Sequence, residues 1–258
     1  MKIKKVLVWV FLLVILIVIG FYLNKNMNVN DEMVQELYSY LGVNNLNSCG
    51  GLINYSKDKV SVSDISDDVK ICLAYANIDD DNKDTVKLDK TKKENTCKLS
   101  DDKIFATDNY EDDVCSLESA NLDKVNEQYK KMYNEEIKDY QKFTLDNTKI
   151  CYSSDNKYYC GLSESYTYVV GSTPHTYRTI KKVVKNKDSI VIYDYFIKVI
   201  NDKCYISYVE DLENEKCTKE FDSKKVDYKF LKKYGQLYKH TFKKQGKAYY
   251  FESSEIVK

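Results

Sequence analysis

Residues 171–178 read GSTPHTYR and gather the chain's only proline, its only arginine and one of its two histidines into eight positions. Arg178 offers a planar fork of donors that matches a carboxylate or a phosphate, and His175 is a group able to titrate near neutral pH. The plainer reading is a hairpin loop in which Pro174 stiffens the turn. His240, in the alternating run QLYKHTFKK, reads as a strand residue whose ring is satisfied by a tyrosine or a carbonyl. Buried beside a pocket, Asp194, Tyr195 and His240 would titrate abnormally and do acid–base work. His175, Arg178 and His240 are thus the candidate binding residues. No catalytic residue is nominated, because nucleophile-elbow, phosphate-loop, HExxH and serine–lysine motifs are all absent.

The eight cysteines are Cys49, Cys72, Cys97, Cys115, Cys151, Cys160, Cys204 and Cys217. An even set without a CxxC pair, in a chain with two histidines, fits a disulfide framework and lacks the spacing of a zinc site. Eight cysteines allow roughly a hundred connectivities, yet one pair follows from geometry. In ICYSSDNKYYCGL the turn formers Asp155 and Asn156 separate two tyrosine-rich runs, as in a two-residue hairpin loop. Ser154 then faces Lys157. Counting outward sets Cys151 opposite Cys160 at a non-hydrogen-bonded position, where Cα atoms stand about 4.5 Å apart and a disulfide can close. Cys204 and Cys217 flank the longer acidic turn YISYVEDLENEK and pair across it. Cys49 with Cys72, and Cys97 with Cys115, follow by proximity and elimination. The one calcium-like stretch, DDDNKD, has Thr85 where the turn glycine belongs and Thr91 in place of the bidentate glutamate. Neither a metal nor any other cofactor is implied.

The compartment decides whether such disulfides form. Val6 to Leu23 is eighteen residues without a charge, and at about 1.5 Å per residue it approaches the roughly 30 Å of a bilayer core. The run continues past its one small-residue stretch, Val18-Ile19-Gly20, into Phe21, Tyr22 and Leu23, so it reads as a retained single-pass anchor and not a cleaved signal. Lys2, Lys4 and Lys5 hold the N-terminus in the cytoplasm by the positive-inside rule. Everything after the anchor is then extracytoplasmic, which removes nucleic acid from the possible partners. The net charge of zero hides an asymmetry: residues 31–143 carry 25 acidic and 15 basic side chains, whereas 144–258 carry 15 acidic and 21 basic. The basic half could face an anionic envelope polymer, a lipid surface or a protein partner. For Lys224, Lys225, Lys229, Lys232, Lys233, Lys239, Lys243, Lys244 and Lys247 the plainer reading is a solvated face.

The positioning elements divide in three: 1–29 as cytoplasmic stub and transmembrane anchor, 30–143 as a helical acidic region, and 144–258 as an antiparallel sheet, the last two forming one unit. NDEMVQELYSYLG predicts a helix capped by Asn30, and SDDVKICLAYAN one capped by Ser66. NLDKVNEQYKKMYNEEIKDYQKF predicts a longer helix, with Leu122, Val125, Tyr129, Met132, Tyr133, Ile137 and Tyr140 on one stripe. Residues 77–96 read as an exposed loop or irregular hairpin. From 144 onward short Tyr/Val/Ile-rich runs alternate with turn signals: TKICYSS, KYYCGL, SYTYVVG, YRTIKKVVK, SIVIYDYFIKVI, KCYISYVE, QLYKHTFKK and AYYFESSEIV. In the last hairpin a two-residue loop puts Tyr238, His240, Phe242, Tyr249 and Phe251 on one face, to be covered by the long helix.

That hairpin, YKHTFKKQGKAYYFESSEIV, resembles the closing segment of a group of uncharacterised membrane-anchored bacterial proteins with a YxHTFKK turn and a YYFxSSE strand. The likeness is specific over some twenty residues. By analogy of helix-then-sheet order the group resembles small folds of the cystatin or nuclear-transport-factor type, and it implies no activity and no catalytic residues. The expected fold class is α+β, an N-terminal transmembrane helix followed by helices packed on a mostly antiparallel sheet. The expected function is a membrane-anchored extracytoplasmic binding or interaction domain. The alternative is a hydrolase-like envelope enzyme with a pocket between the long helix and the sheet.

Overall fold

The structure is a computed structural model that describes residues 26–42, 48–55, 59–91, 95–108, 111–146, 148–164, 175–200, 203–205, 217 and 222–257. The expected span at 6–23, the expected strand at 165–171, Pro174 and most of the turn between Cys204 and Cys217 lie outside the described residues. Among the described residues no helix is long and apolar enough to cross a membrane.

Two β-hairpins in the C-terminal half build the larger sheet. One joins β10 (His175–Lys185) to β11 (Ser189–Ile200), the other β13 (Gln236–Gln245) to β14 (Ala248–Ile256), and β11 pairs with β13. Two-residue strands cover the edges, β1 (Asn26–Met27) beside β10 and β2 (Val60–Ser61) beside β14, and β12 (Lys203–Tyr205) pairs with the end of β11; every pairing is antiparallel. β1 covers only Val183 and Val184 of β10, and β2 only Ser253 and Ser254 of β14. Asn26 and Met27 are therefore part of the larger sheet. The last hairpin has the expected loop, with Gln245 opposite Ala248 and Gly246 in the left-handed region at φ 64°.

The expected helical region 30–143 holds half of a second sheet. Its order is β3 (Lys83–Asp89), β6 (Val114–Asn121), β9 (Lys157–Leu162), β8 (Lys149–Ser154) and β7 (Phe143–Thr144), again antiparallel, with β4 (Thr96–Ser100) and β5 (Lys103–Ala106) as a separate hairpin. In β3 only Val86 and Leu88 turn toward the small core of Cys97, Phe105, Cys115 and Leu117. Two lysines, two aspartates and Thr85 fill the other positions, and so the segment reads as a loop. In the DDDNKD stretch Asp80 lies 3.6 Å from Lys83, and no metal-binding group of three or more His, Cys, Asp or Glu occurs among the described residues.

All four expected disulfides are present: Cys49–Cys72, Cys97–Cys115, Cys151–Cys160 and Cys204–Cys217. The β8–β9 register is the one deduced, Ser154 with Lys157 through Cys151 with Cys160, and the paired Cα atoms are 4.1 Å apart. Asp155 and Asn156 both have positive φ, 46° and 61°, as a primed turn requires.

Among the described residues, four α-helices pack on these sheets. In α1 (Glu32–Ser39) the cap is Asp31, whose carboxylate accepts the Met33 N–H at 3.1 Å, one residue after the expected Asn30. Ser66 does precede α2 (Asp67–Ala76), although its hydroxyl makes no capping bond. The long helix is shorter than expected. α3 runs Leu122–Tyr133 and stops at Asn134, which is left-handed at φ 56°, and the Asn126 side chain takes the Ile137 N–H at 2.9 Å in place of a helical carbonyl. Its buried stripe, Val125, Tyr129, Met132 and Tyr133, joins Ile190, Ile192, Phe242 and Phe251 of the larger sheet and Phe143 and Tyr158 of the smaller one in a single core. The lysine-rich segment expected to be plain surface contains α4 (Tyr228–Tyr234), capped by Asp227 at the Phe230 N–H, whose Leu231 covers Tyr195, Ile197 and Val199 on the far face of β11.

Candidate functional site

Sheet register brings three chemically suggestive side chains together. His240 on β13 is the direct neighbour of Ser254 on β14, and Asp194 on β11 sits diagonally across, opposite Tyr238. The His240 Nδ1 lies 2.6 Å from Ser254 Oγ and its Nε2 3.0 Å from Asp194 Oδ1. Nε2–H donates to the carboxylate; Nδ1 accepts the serine proton in the neutral ring and donates to the serine oxygen in the imidazolium. The second carboxylate oxygen accepts two hydroxyls, from Tyr38 on α1 at 2.7 Å and Tyr55 at 2.8 Å. Arg178 on β10 closes the set. It donates to Tyr55 Oη at 3.2 Å and to the Gly42 carbonyl, and its guanidinium lies over the Tyr38 ring, 4.2 Å from the centroid. Tyr55 also stacks on Phe196 at 4.3 Å, and its carbonyl accepts the Tyr238 hydroxyl at 2.6 Å.

A buried charge persists only when its partners outweigh the loss of water. Burial pushes the Asp194 carboxyl up, but the charge and hydrogen bond of His240, the Tyr38 hydroxyl and the Arg178 charge together hold it below the usual carboxylate range. Burial also works against the Arg178 cation, and the tyrosine oxygens with Asp194 more than restore it. Tyr38 and Tyr55 move the other way: burial first, then the Asp194 charge, raises both phenols. The site is thus a carboxylate–guanidinium pair bridged by neutral hydroxyls, with the imidazole as a further donor.

Asp, His and Ser in contact are also the parts of an acyl-transfer site. The imidazole is used in the opposite sense to the hydrolase template, which sets Nδ1 on the carboxylate and Nε2 on the serine. Burial decides the matter. Asp194 and His240 are 0% exposed and Ser254 is 1% exposed, so no reacting carbonyl carbon can stand about 3 Å from the serine oxygen. The arrangement can lock three strands to α1 and to the 48–55 segment; it cannot admit a substrate as it stands.

Of the sequence candidates, Arg178 and His240 meet in this cluster through Asp194 and Tyr55. His175 does not: it is exposed at the first position of β10, opposite Val199. GSTPHTYR is therefore not one loop, since residues 175–178 are strand. Tyr195 points to the opposite face, under α4. The lysine face of β13 is not an open cationic surface, because Lys239 is paired with Glu255 and Lys243 lies 3.5 Å from Glu252. Sequence reasoning missed Ser254, Tyr38 and Tyr55. Ser254 could not be found by counting. A two-residue loop alone sets Ser253 opposite His240, and the observed shift comes from a bulge at Glu252.

The buried stripe of α3 packs into the core, and open space lies on either side of α1, one part of it reaching between the C-terminal end of α3 and β14. A cleft of about 550 Å³ runs between Met33, Leu37 and Tyr40, the last turn of α3 with the residues that follow it, and Tyr249 and Tyr250. Lys130, Lys131 and Lys247 face Glu36, Glu135 and Glu136 around it. A second cleft of about 570 Å³ lies between α1, β10 and α4, and there the outer ends of the buried cluster, Tyr38 and Arg178, reach the surface beside Tyr228. Met33 and Tyr228, 39% and 47% exposed, are the large apolar side chains left open among the described residues, and each lines one cleft. The chain matches no known protein family, no curated protein and no solved structure.

Proposed function

We propose that the chain is a membrane-anchored extracytoplasmic domain that binds a partner through the clefts flanking α1, and that its Ser–His–Asp cluster is a structural lock. The observation that carries this reading is the contrast in exposure: the cluster with reactive chemistry is sealed, while Met33 and Tyr228 stand open beside converging charges, the mixture found at recognition surfaces. Four disulfides are compatible with an oxidising compartment. The second reading, a hydrolase, has the Asp194–His240–Ser254 contacts in its favour and requires α1 to lift away.

One experiment separates the two. The full chain treated with a fluorophosphonate probe leaves Ser254 unlabelled, whereas a photo-crosslinking residue in place of Met33 or Tyr228 yields adducts in cells that the same residue at exposed Lys87 does not. Labelling of Ser254, abolished by Ser254→Ala, selects the hydrolase.

A further inference from the structure

β1 determines where the globule meets the chain that precedes it. Asn26 pairs with Val184 and Met27 with Val183, so β1 begins at the Lys185 end of β10, beside the β10–β11 turn. The β13–β14 turn is at the same end of the sheet: Ser189 pairs with Lys243, and the Lys244 N–H donates to the Asp188 carbonyl at 2.9 Å. These two turns present Lys185, Lys187, Lys243, Lys244 and Lys247, all exposed. Asp188, Glu252, Asp31 and Glu32 just beyond β1, and Glu36, Glu135 and Glu136 around the cleft that Lys247 lines, offset much of this charge.

We propose that this lysine-bearing end of the larger sheet docks on the anionic headgroups of the bilayer that holds the N-terminal anchor, and so fixes the orientation of the domain. The inference rests on the reading of Val6–Leu23 as a retained span. Asn24 and Lys25 alone separate Leu23 from Asn26, and three residue steps reach at most about 10 Å. That is about one Debye length at 0.1 M salt, so the lysines stand within the field of the headgroups. Charge alone does not select this end, because Lys203, Lys229, Lys232 and Lys233 are exposed toward the other. Ten strand residues, about 33 Å, separate the ends, and the tether decides which one meets the lipid. Docked in this way, the domain turns α4 and the cleft of Tyr228 outward, away from the bilayer.

The test uses the full chain in lipid nanodiscs of phosphatidylcholine, with and without phosphatidylglycerol. Surface lysines are acylated with a water-soluble N-hydroxysuccinimide ester and read by peptide mass spectrometry. Lys185, Lys187, Lys244 and Lys247 label at least about threefold more slowly in the anionic discs, Lys229 and Lys232 label equally in both, and molar salt abolishes the difference. Equal rates for all six in both discs overturn the proposal while leaving the anchor intact. Protection by soluble polyphosphate in neutral discs, without protection by phosphatidylglycerol, also overturns it. If an alkaline wash strips the chain from the bilayer, the anchor fails and the docking with it.

Discussion

Replacing Asp194 by Asn tests whether the buried cluster is a lock. Three donors converge on the carboxylate, the hydroxyls of Tyr38 and Tyr55 and the His240 ring, and an amide nitrogen in place of one oxygen faces a donor where an acceptor is needed. A hydrogen bond to a charged group is worth about 1.5–3 kcal/mol, and stripping one member from a buried charged pair costs about 3–5 kcal/mol because the other is left uncompensated. Asp194→Asn is therefore expected to cost about 3–5 kcal/mol of the roughly 5–15 kcal/mol that holds a domain folded. The assay is equilibrium urea unfolding at neutral pH with the disulfides intact. Pairing it with Arg178→Met should recover part of the loss, since the orphaned guanidinium is then gone, and a double-mutant cycle is expected to give a coupling above about 0.5 kcal/mol. The pH dependence has a definite sign. A carboxyl held below its ordinary range contributes stability that is complete above the unfolded value of about 3.9 and is lost as pH falls through the lower folded value. The gap between wild type and Asp194→Asn should be constant near neutrality and narrow only below about pH 4. A gap under about 1 kcal/mol at neutral pH, or one that does not narrow in acid, refutes the lock.

Two further variants probe the smaller sheet. Removing the Cys151–Cys160 bridge with paired serines reopens a ten-residue loop and is expected to lower stability by about 2.5 kcal/mol, and non-reducing peptide mapping should recover all four pairs from the native chain; free thiols at 151 and 160 would reject the register. Gly161→Ala sets a methyl group against the buried side chains of Leu117 and Phe105 and should cost about 1–3 kcal/mol by overpacking, read as a lower urea midpoint at unchanged slope.

What the sequence by itself determined is whatever depends on neighbours along the chain. The Cys151–Cys160 pair is local: two turn residues fix the hairpin register, and register fixes which side chains oppose each other. The alternation of Tyr238, His240 and Phe242 with Lys239, Thr241 and Lys243 settles which face of β13 is buried, whatever covers it. α2 was legible because Ser66, two aspartates and an apolar face coincide within one short segment. Other features belong to tertiary structure. β3 is a strand because β6 supplies hydrogen bonds that its charged sequence does not advertise. α3 ends at Asn134 although the apolar stripe runs on to Tyr140, because Ile137 and Tyr140 pack on the core without helical backbone. The Asp194 cluster draws Tyr38, Tyr55, Arg178, His240 and Ser254 from five separate segments, and no spacing rule relates residues joined only by strand order and one bulge. Energy decided that part: a carboxylate so deeply buried is tolerable only where all its donors arrive together, and only the completed fold brings them there.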